Sequence, residues 1–241
     1  MRRLPIEEFL AYRDVDTTLN GVLVSPPGPA AQRVPLVLLH GGAGLDDHAR
    51  AQARRFATRG HTVLAADLYG PGVASNRDRV LATIAELRGE PGRLARRVEA
   101  AVATIADLLA TPAESIAVIG FCLGGMAALE LARAGVAVSG VVSVHGGLST
   151  PRTASPGEVR SRVLVCHGGS DPHVSPGELM AFVTEMTAVG ADWQLVVYGR
   201  AHHGFTHAHD DGGTPGVAFD PVADRRAHAI ICDFLDETAR C

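Results

Sequence analysis

Short apolar runs alternate with amphipathic stretches along most of the chain. Residues 34–39 are continuously apolar and end at His40-Gly41-Gly42. Residues 46–59 follow with helical spacing, and Gly60 stands where a C-terminal cap belongs. The same alternation predicts strands over 61–67, 115–119, 136–144, 162–167 and 193–198. It predicts helices over 77–87, 92–110, 124–133, 176–189 and 221–238. The strands are solidly apolar rather than alternating, as expected when helices cover both faces of a sheet. Repeated strand–helix units imply an α/β fold with a mostly parallel, doubly wound sheet flanked by helices. Residues 16–25 are read as an antiparallel edge strand. No repeat or low-complexity linker interrupts residues 1–241, so one domain is expected.

Composition narrows the function. The chain has 241 residues, is 46% hydrophobic and carries a formal charge of −4. No basic stripe suggests nucleic-acid binding, and no apolar run approaches the roughly 20 residues that span a bilayer. Glu7 and Glu8 interrupt the N-terminal segment, which is unlike a signal peptide. A cytoplasmic monomer or homodimer is expected. The four cysteines, Cys122, Cys166, Cys232 and Cys241, form no C-x-x-C pair, and a reducing compartment fits them best. All 22 basic residues are arginine. Schiff-base chemistry and a P-loop, which need lysine, are excluded.

The sharpest motif is Ile119-Gly120-Phe121-Cys122-Leu123-Gly124-Gly125. It joins an apolar strand directly to an apolar helix in the pattern of a nucleophile elbow, with cysteine at the reactive position. The turn is so tight that only small residues fit two places before and after Cys122. Its place at a helix N-terminus favours a thiolate. The N–H of Leu123 is one expected oxyanion donor. The other is expected from the loop at Gly41, Gly42 and Ala43, with Gly42 the candidate. An acid and a histidine should follow in that order. Asp171 lies after the 162–167 strand, and His203 after the last strand, with His202 as its neighbouring alternative. In those roles His203 holds the proton of Cys122, and Asp171 orients the imidazole and favours its charged form. Tyr69, Phe121 and His145 are candidates for the substrate-pocket wall. Cys166 reads as packing.

These segments resemble the dienelactone hydrolase family from about residue 34 to residue 235. The resemblance rests on His40 and Gly44 in the first loop, Ala66-Asp67-Leu68-Tyr69-Gly70, Gly120-Phe121-Cys122-Leu123-Gly124-Gly125, Asp171-Pro172 and Ala201-His202-His203-Gly204-Phe205. It implies an α/β-hydrolase fold, a Cys122–Asp171–His203 triad, no cofactor, and a small-molecule ester or lactone substrate cleaved through an acyl-cysteine. By position it selects His203 over His202. The chain departs from the family pattern at Gly41, where a glutamate is usual. It departs again at Gly70-Pro71-Gly72 and Thr206, where arginines hold a substrate carboxylate in members that open dienelactones. These departures point away from dienelactone itself. Thioester hydrolysis, acyl transfer, and non-catalytic binding or redox sensing at Cys122 are the alternatives.

Two weaker patterns carry less. His207-Ala208-His209-Asp210-Asp211 formally reads H-x-H-x-D but lacks the next histidine of metal hydrolases, so no metal is expected. The glycines at 41–44 suggest a dinucleotide loop only until Asp47, which falls where the third glycine belongs.

Overall fold

A computed structural model describes residues 4–28, 33–90, 92–208 and 215–239. They form one eight-stranded sheet, in spatial order β1-β2-β4-β3-β5-β6-β7-β8. The strands are β1 Ile6–Asp14, β2 Thr17–Ser25, β3 Leu36–Leu39, β4 Val63–Ala66, β5 Ala117–Phe121, β6 Gly140–Val144, β7 Arg162–Gly168 and β8 Trp193–Tyr198. From β4 to β8 the pairing is parallel, while β1 and β2 run antiparallel at one side. The fold is the expected α/β arrangement of a mostly parallel sheet between helices. The helices are α1 Asp47–Ala57, α2 Arg77–Gly89, α3 Arg93–Leu109, α4 Leu123–Arg133, α5 Pro176–Ala188 and α6 Pro221–Thr238.

One edge differs from the sequence reading. The 16–25 segment is a strand, but it lies inside the sheet between β1 and β4. The true edge is β1, paired along its full length with β2. β1 is exposed on most of both faces, with Phe9 81% accessible. It therefore lacks the solid apolar run by which the central strands are recognised. The sixth strand is also shorter than expected and begins at Gly140.

Period-2 alternation splits the core in two. Val37 and Leu39 face α3 and α4, whereas Leu36 and Leu38 face α1 and α6. α3 buries Leu94, Val98, Ala101, Val102 and Ile105, spaced so that one face of the helix is apolar. Local chemistry starts the helices where the sequence suggests. The Asp46 carboxylate accepts from the N–H of Ala49 at α1, and Ser175 with Glu178 forms a capping box at α5.

The chain leaves β3 toward β4 on one side and enters β5 on the other. This reversal opens a crevice at the C-terminal ends of neighbouring strands, where ligands bind in open α/β sheets. The loop at His40–Gly42 and the turn at Cys122 both lie there.

Candidate active site

The turn at Cys122 is as tight as its glycines suggest. Cys122 has φ 52° and ψ −113°, outside the regions L-residues favour. A Cβ at Gly120 would lie 2.0 Å from the Gly124 carbonyl oxygen, and one at Gly124 would lie 2.4 Å from that of Leu39. Neither atom fits, so the glycines are what let β5 turn directly into α4. No side chain caps α4. Its first N–H groups are therefore free to act on whatever sits at Cys122.

The structure brings the three residues from separate loops together. Cys122 Sγ lies 3.1 Å from His203 Nε2, and His203 Nδ1 donates to Asp171 Oδ2 at 2.8 Å. The Asp171 carboxylate is fully buried, and its Oδ1 accepts the N–H of His173 at 2.8 Å. The backbone N–H groups of Leu123 and Gly42 act on the Cys122 sulfur and favour its thiolate. His202, by contrast, is exposed.

Two backbone clamps set this geometry. The His203 N–H donates to the Gly216 carbonyl, and its own carbonyl accepts from Ala218 N–H, each at 3.1 Å. The Ser170 N–H donates to the Ala201 carbonyl at 2.9 Å, which ties the Asp171 loop to the His203 loop.

The electrostatics favour an ion pair. Burial pushes the Cys122 thiol up, but the hydrogen bond and charge of His203 and the two N–H groups outweigh it and hold the thiol below its usual range. Burial likewise opposes a charged His203, yet its bonds to Asp171 and Cys122 push it up to about 10. Asp171 is held low despite burial by His203 and the His173 N–H. These directions favour a thiolate, an imidazolium and a carboxylate in series. Such an arrangement can attack a carbonyl carbon and protonate the group that leaves.

A cavity of about 510 Å³ lies over Cys122. Its wall includes Gly42, Leu123 and His203, with Leu81, Ile84 and Met126 opposite. Tyr69, Phe121 and His145, expected in the wall, are almost fully buried and line no part of it. Tyr69 instead donates its hydroxyl to the Gly42 carbonyl at 2.9 Å and so braces the loop whose N–H reaches the sulfur. Phe121 packs edge-on to His48 behind the site. His145 has a positive φ of 41° and is fully buried. Burial, then the neighbouring His207, His203 and His48, push its imidazole well below the usual range, so it stays neutral.

Thr206 serves as a link that no spacing along the chain reveals. Its hydroxyl lies 2.9 Å from His145 Nε2 and 3.0 Å from His48 Nε2. One hydroxyl has one proton, so Thr206 donates to one imidazole and accepts from the other, coupling their tautomers. His48 also stacks on His207, with ring centroids 3.7 Å apart. His209, Asp210 and Asp211 of the H-x-H-x-D pattern lie outside the described residues, as does Cys241. Cys166 is fully buried, and burial pushes its thiol up to about 12, as suits a packing residue.

Comparison with known proteins identifies the family. The profile of the dienelactone hydrolase family matches residues 19–239. A solved structure described as m3DLH is 34% identical, with a TM-score of 0.89 over 98% of this chain and 99% of that one. P91, described as a dienelactone hydrolase-like promiscuous phosphotriesterase from metagenomic libraries, is 31% identical, with a TM-score of 0.88 over 98% and 99% of the two chains. A probable 2-oxo-3-(5-oxofuran-2-ylidene)propanoate lactonase of Bradyrhizobium sp. is 25% identical over 91% of this chain and 92% of its own. No helix among the described residues is long and apolar enough to cross a membrane. The chain belongs to the dienelactone hydrolase family and is a carboxylic ester hydrolase of α/β-hydrolase fold.

Proposed function

We propose that the protein hydrolyses small-molecule carboxylic esters or lactones through an acyl-cysteine formed on Cys122, with His203 as acid and base and Asp171 orienting it. The observation that carries this reading is the unbroken chain from Cys122 Sγ to His203 at 3.1 Å and from His203 to Asp171 at 2.8 Å.

In this mechanism the thiolate attacks the carbonyl carbon, and the C=O electron pair moves onto oxygen. The N–H groups of Leu123 and Gly42 stabilise that oxyanion. Collapse re-forms C=O and expels the alkoxide, which takes the Nε2 proton of His203. Water then attacks the thioester as neutral His203 removes one of its protons. The second collapse releases the carboxylic acid and restores thiolate and imidazolium. Asp171 keeps Nδ1 protonated throughout, so that Nε2 always faces the reacting atoms.

The similarity to a protein described as a lactonase supports the lactone side of this reading. P91 is the reason to include a phosphotriester in the assay. A panel of chromogenic short-chain esters, lactones and a phosphotriester is the test. Turnover of an ester or lactone that disappears in Cys122→Ala, with acyl mass trapped on Cys122 by rapid acid quench, is the expected result. Ester turnover that survives in Cys122→Ala would overturn it.

A further inference from the structure

A second cavity, of about 570 Å³, lies beyond the first beneath α2. Leu81, Ile84, Arg88, Met126 and Ser149 belong to the walls of both. The two spaces are therefore neighbours across one neck, formed by α2, the start of α4 and the loop after β6. We propose that the second cavity receives the far end of the substrate's acyl chain, so that the preferred substrates are esters with an extended apolar acyl arm. This rests on the ester-hydrolase reading of Cys122.

The direction of the arm follows from the reacting atoms. The carbonyl carbon must sit at Cys122 Sγ and its oxygen at the N–H groups of Leu123 and Gly42. The leaving oxygen must face His203 Nε2, which protonates it. The acyl arm is the remaining substituent. Gly42, His173 and His203 line the first cavity but not the second. Cys122 and Leu123 likewise line only the first, so the second cavity lies beyond the reacting atoms, and the acyl arm, the substituent that does not face the proton donor, is the one assigned to it.

The surfaces along this path suit an apolar chain. Leu81, Ile84 and Met126 form the apolar side of the neck, with Arg88 and Ser149 on its polar side, and Leu87 and Leu94 lie beyond it. Two charged groups of the second cavity are already engaged. Glu90 binds Arg93 and Arg96, and Glu130 binds Arg133. α2 buries only Leu87, while Leu81 is 56% exposed. An acyl chain in the neck would cover that apolar surface.

Two substrate series separate acyl length from alcohol length. In 4-nitrophenyl esters from acetate to octanoate, kcat/KM should rise roughly fourfold per methylene at full burial. In alkyl acetates of the same lengths it should vary less than about threefold. Ala85 lines only the second cavity and is exposed on α2. Ala85→Trp should lower the octanoate-to-acetate ratio of kcat/KM at least tenfold. A second readout needs no turnover: octanoate should slow alkylation of Cys122 at a concentration at least tenfold below that of acetate. A flat acyl series, a rise confined to the alcohol series, or a ratio unmoved by Ala85→Trp would overturn the proposal. Equal protection by octanoate and acetate would do the same. If no ester is turned over in a Cys122-dependent way, the ester-hydrolase reading itself fails, a distinct result.

Discussion

The Cys122–His203 pair should make the thiol react as an anion across neutral pH. A free cysteine titrates near 8.5, so about 3% is thiolate at pH 7. Its alkylation rate therefore climbs about 25-fold between pH 7 and pH 9. In the folded protein, burial disfavours the thiolate, but His203 at 3.1 Å and the N–H groups of Leu123 and Gly42 more than offset it. The imidazolium persists until about pH 10, because Asp171 and the thiolate hold its proton against burial. Thiolate and imidazolium thus coexist over a window bounded above near pH 10 and below by the depressed thiol titration. Inside it the thiolate fraction exceeds that of a free cysteine by up to about thirtyfold at pH 7. Some of that gain is lost, since nucleophilicity falls with basicity along a slope of about 0.4–0.5. Flatness, rather than speed, is the signature. Iodoacetamide labelling followed by mass spectrometry of the Cys122 peptide should give a rate constant that changes less than threefold from pH 7 to pH 9. His203→Gln should restore the steep rise. Asp171→Asn removes the charge that accepts from Nδ1 at 2.8 Å and should bring the upper edge down from about 10 toward the ordinary imidazole range. A wild-type rate that climbs about 25-fold through this range, as a free cysteine's does, would refute the ion pair.

Tyr69→Phe removes the hydroxyl that donates to the Gly42 carbonyl, a bond worth about 0.5–1.5 kcal/mol. Ester hydrolysis should lose about threefold to tenfold in kcat with KM nearly unchanged; a change confined to KM would place Tyr69 in substrate binding instead. Arg133 is fully buried and binds Glu130, Glu185 and the Leu148 carbonyl. Arg133→Met should destabilise the fold by about 3–5 kcal/mol, because two buried carboxylates lose their cation. Thermal unfolding should register this as a Tm lowered by roughly 10 °C. His228 is held at about 4, first by burial and then by Arg55 and Arg59, against about 6.5 when unfolded. The unfolded chain binds more protons between these values, so the contribution of His228 is full above pH 6.5 and is lost as pH falls toward 4. His228→Phe should therefore gain about 2–3 kcal/mol on wild type between pH 7 and pH 4.5, measured by denaturant melts. A constant difference would show that His228 titrates normally.

The central strands and the elbow were legible because their physics is local. A run such as 36–39, apolar at every position, can only be buried on both faces, and Gly120 and Gly124 answer to contacts within a few residues or with the adjacent strand. Strand β1 was not legible, since its mostly exposed faces leave no periodic signal and its partner is supplied by β2. The wall of the cavity escaped for a different reason. Leu81 and Ile84 stand in what reads as an ordinary helix, and only the placing of α2 beside α3 brings them to the wall of the cavity over Cys122. Tyr69 was placed near the site but in another capacity, because spacing cannot tell whether a hydroxyl points to a ligand or to the Gly42 carbonyl. Thr206 shows the same limit. Its hydroxyl gains its place only when residues 48 and 145 meet it from distant elements.

The N–H groups of Leu123 and Gly42 hold the resting sulfur, and in the proposed reaction the same two groups must hold the substrate oxygen. A carbonyl can take up its reactive position only as the thiolate gives up those bonds. The exchange has a direction. Anion-directed N–H bonds stabilise the thiolate at rest and dull it as a nucleophile. Their transfer to the oxyanion removes that restraint while charge moves from sulfur to oxygen. The same two donors thus face negative charge before and after the step, which is the condition for preorganised donors to lower a barrier without reorganising. Gly41 fits this arrangement. A Cβ there would stand 3.5 Å from Cys122 Cβ, so the glycine places no side chain of its own beside the sulfur, and the backbone donors serve first one anion and then the other.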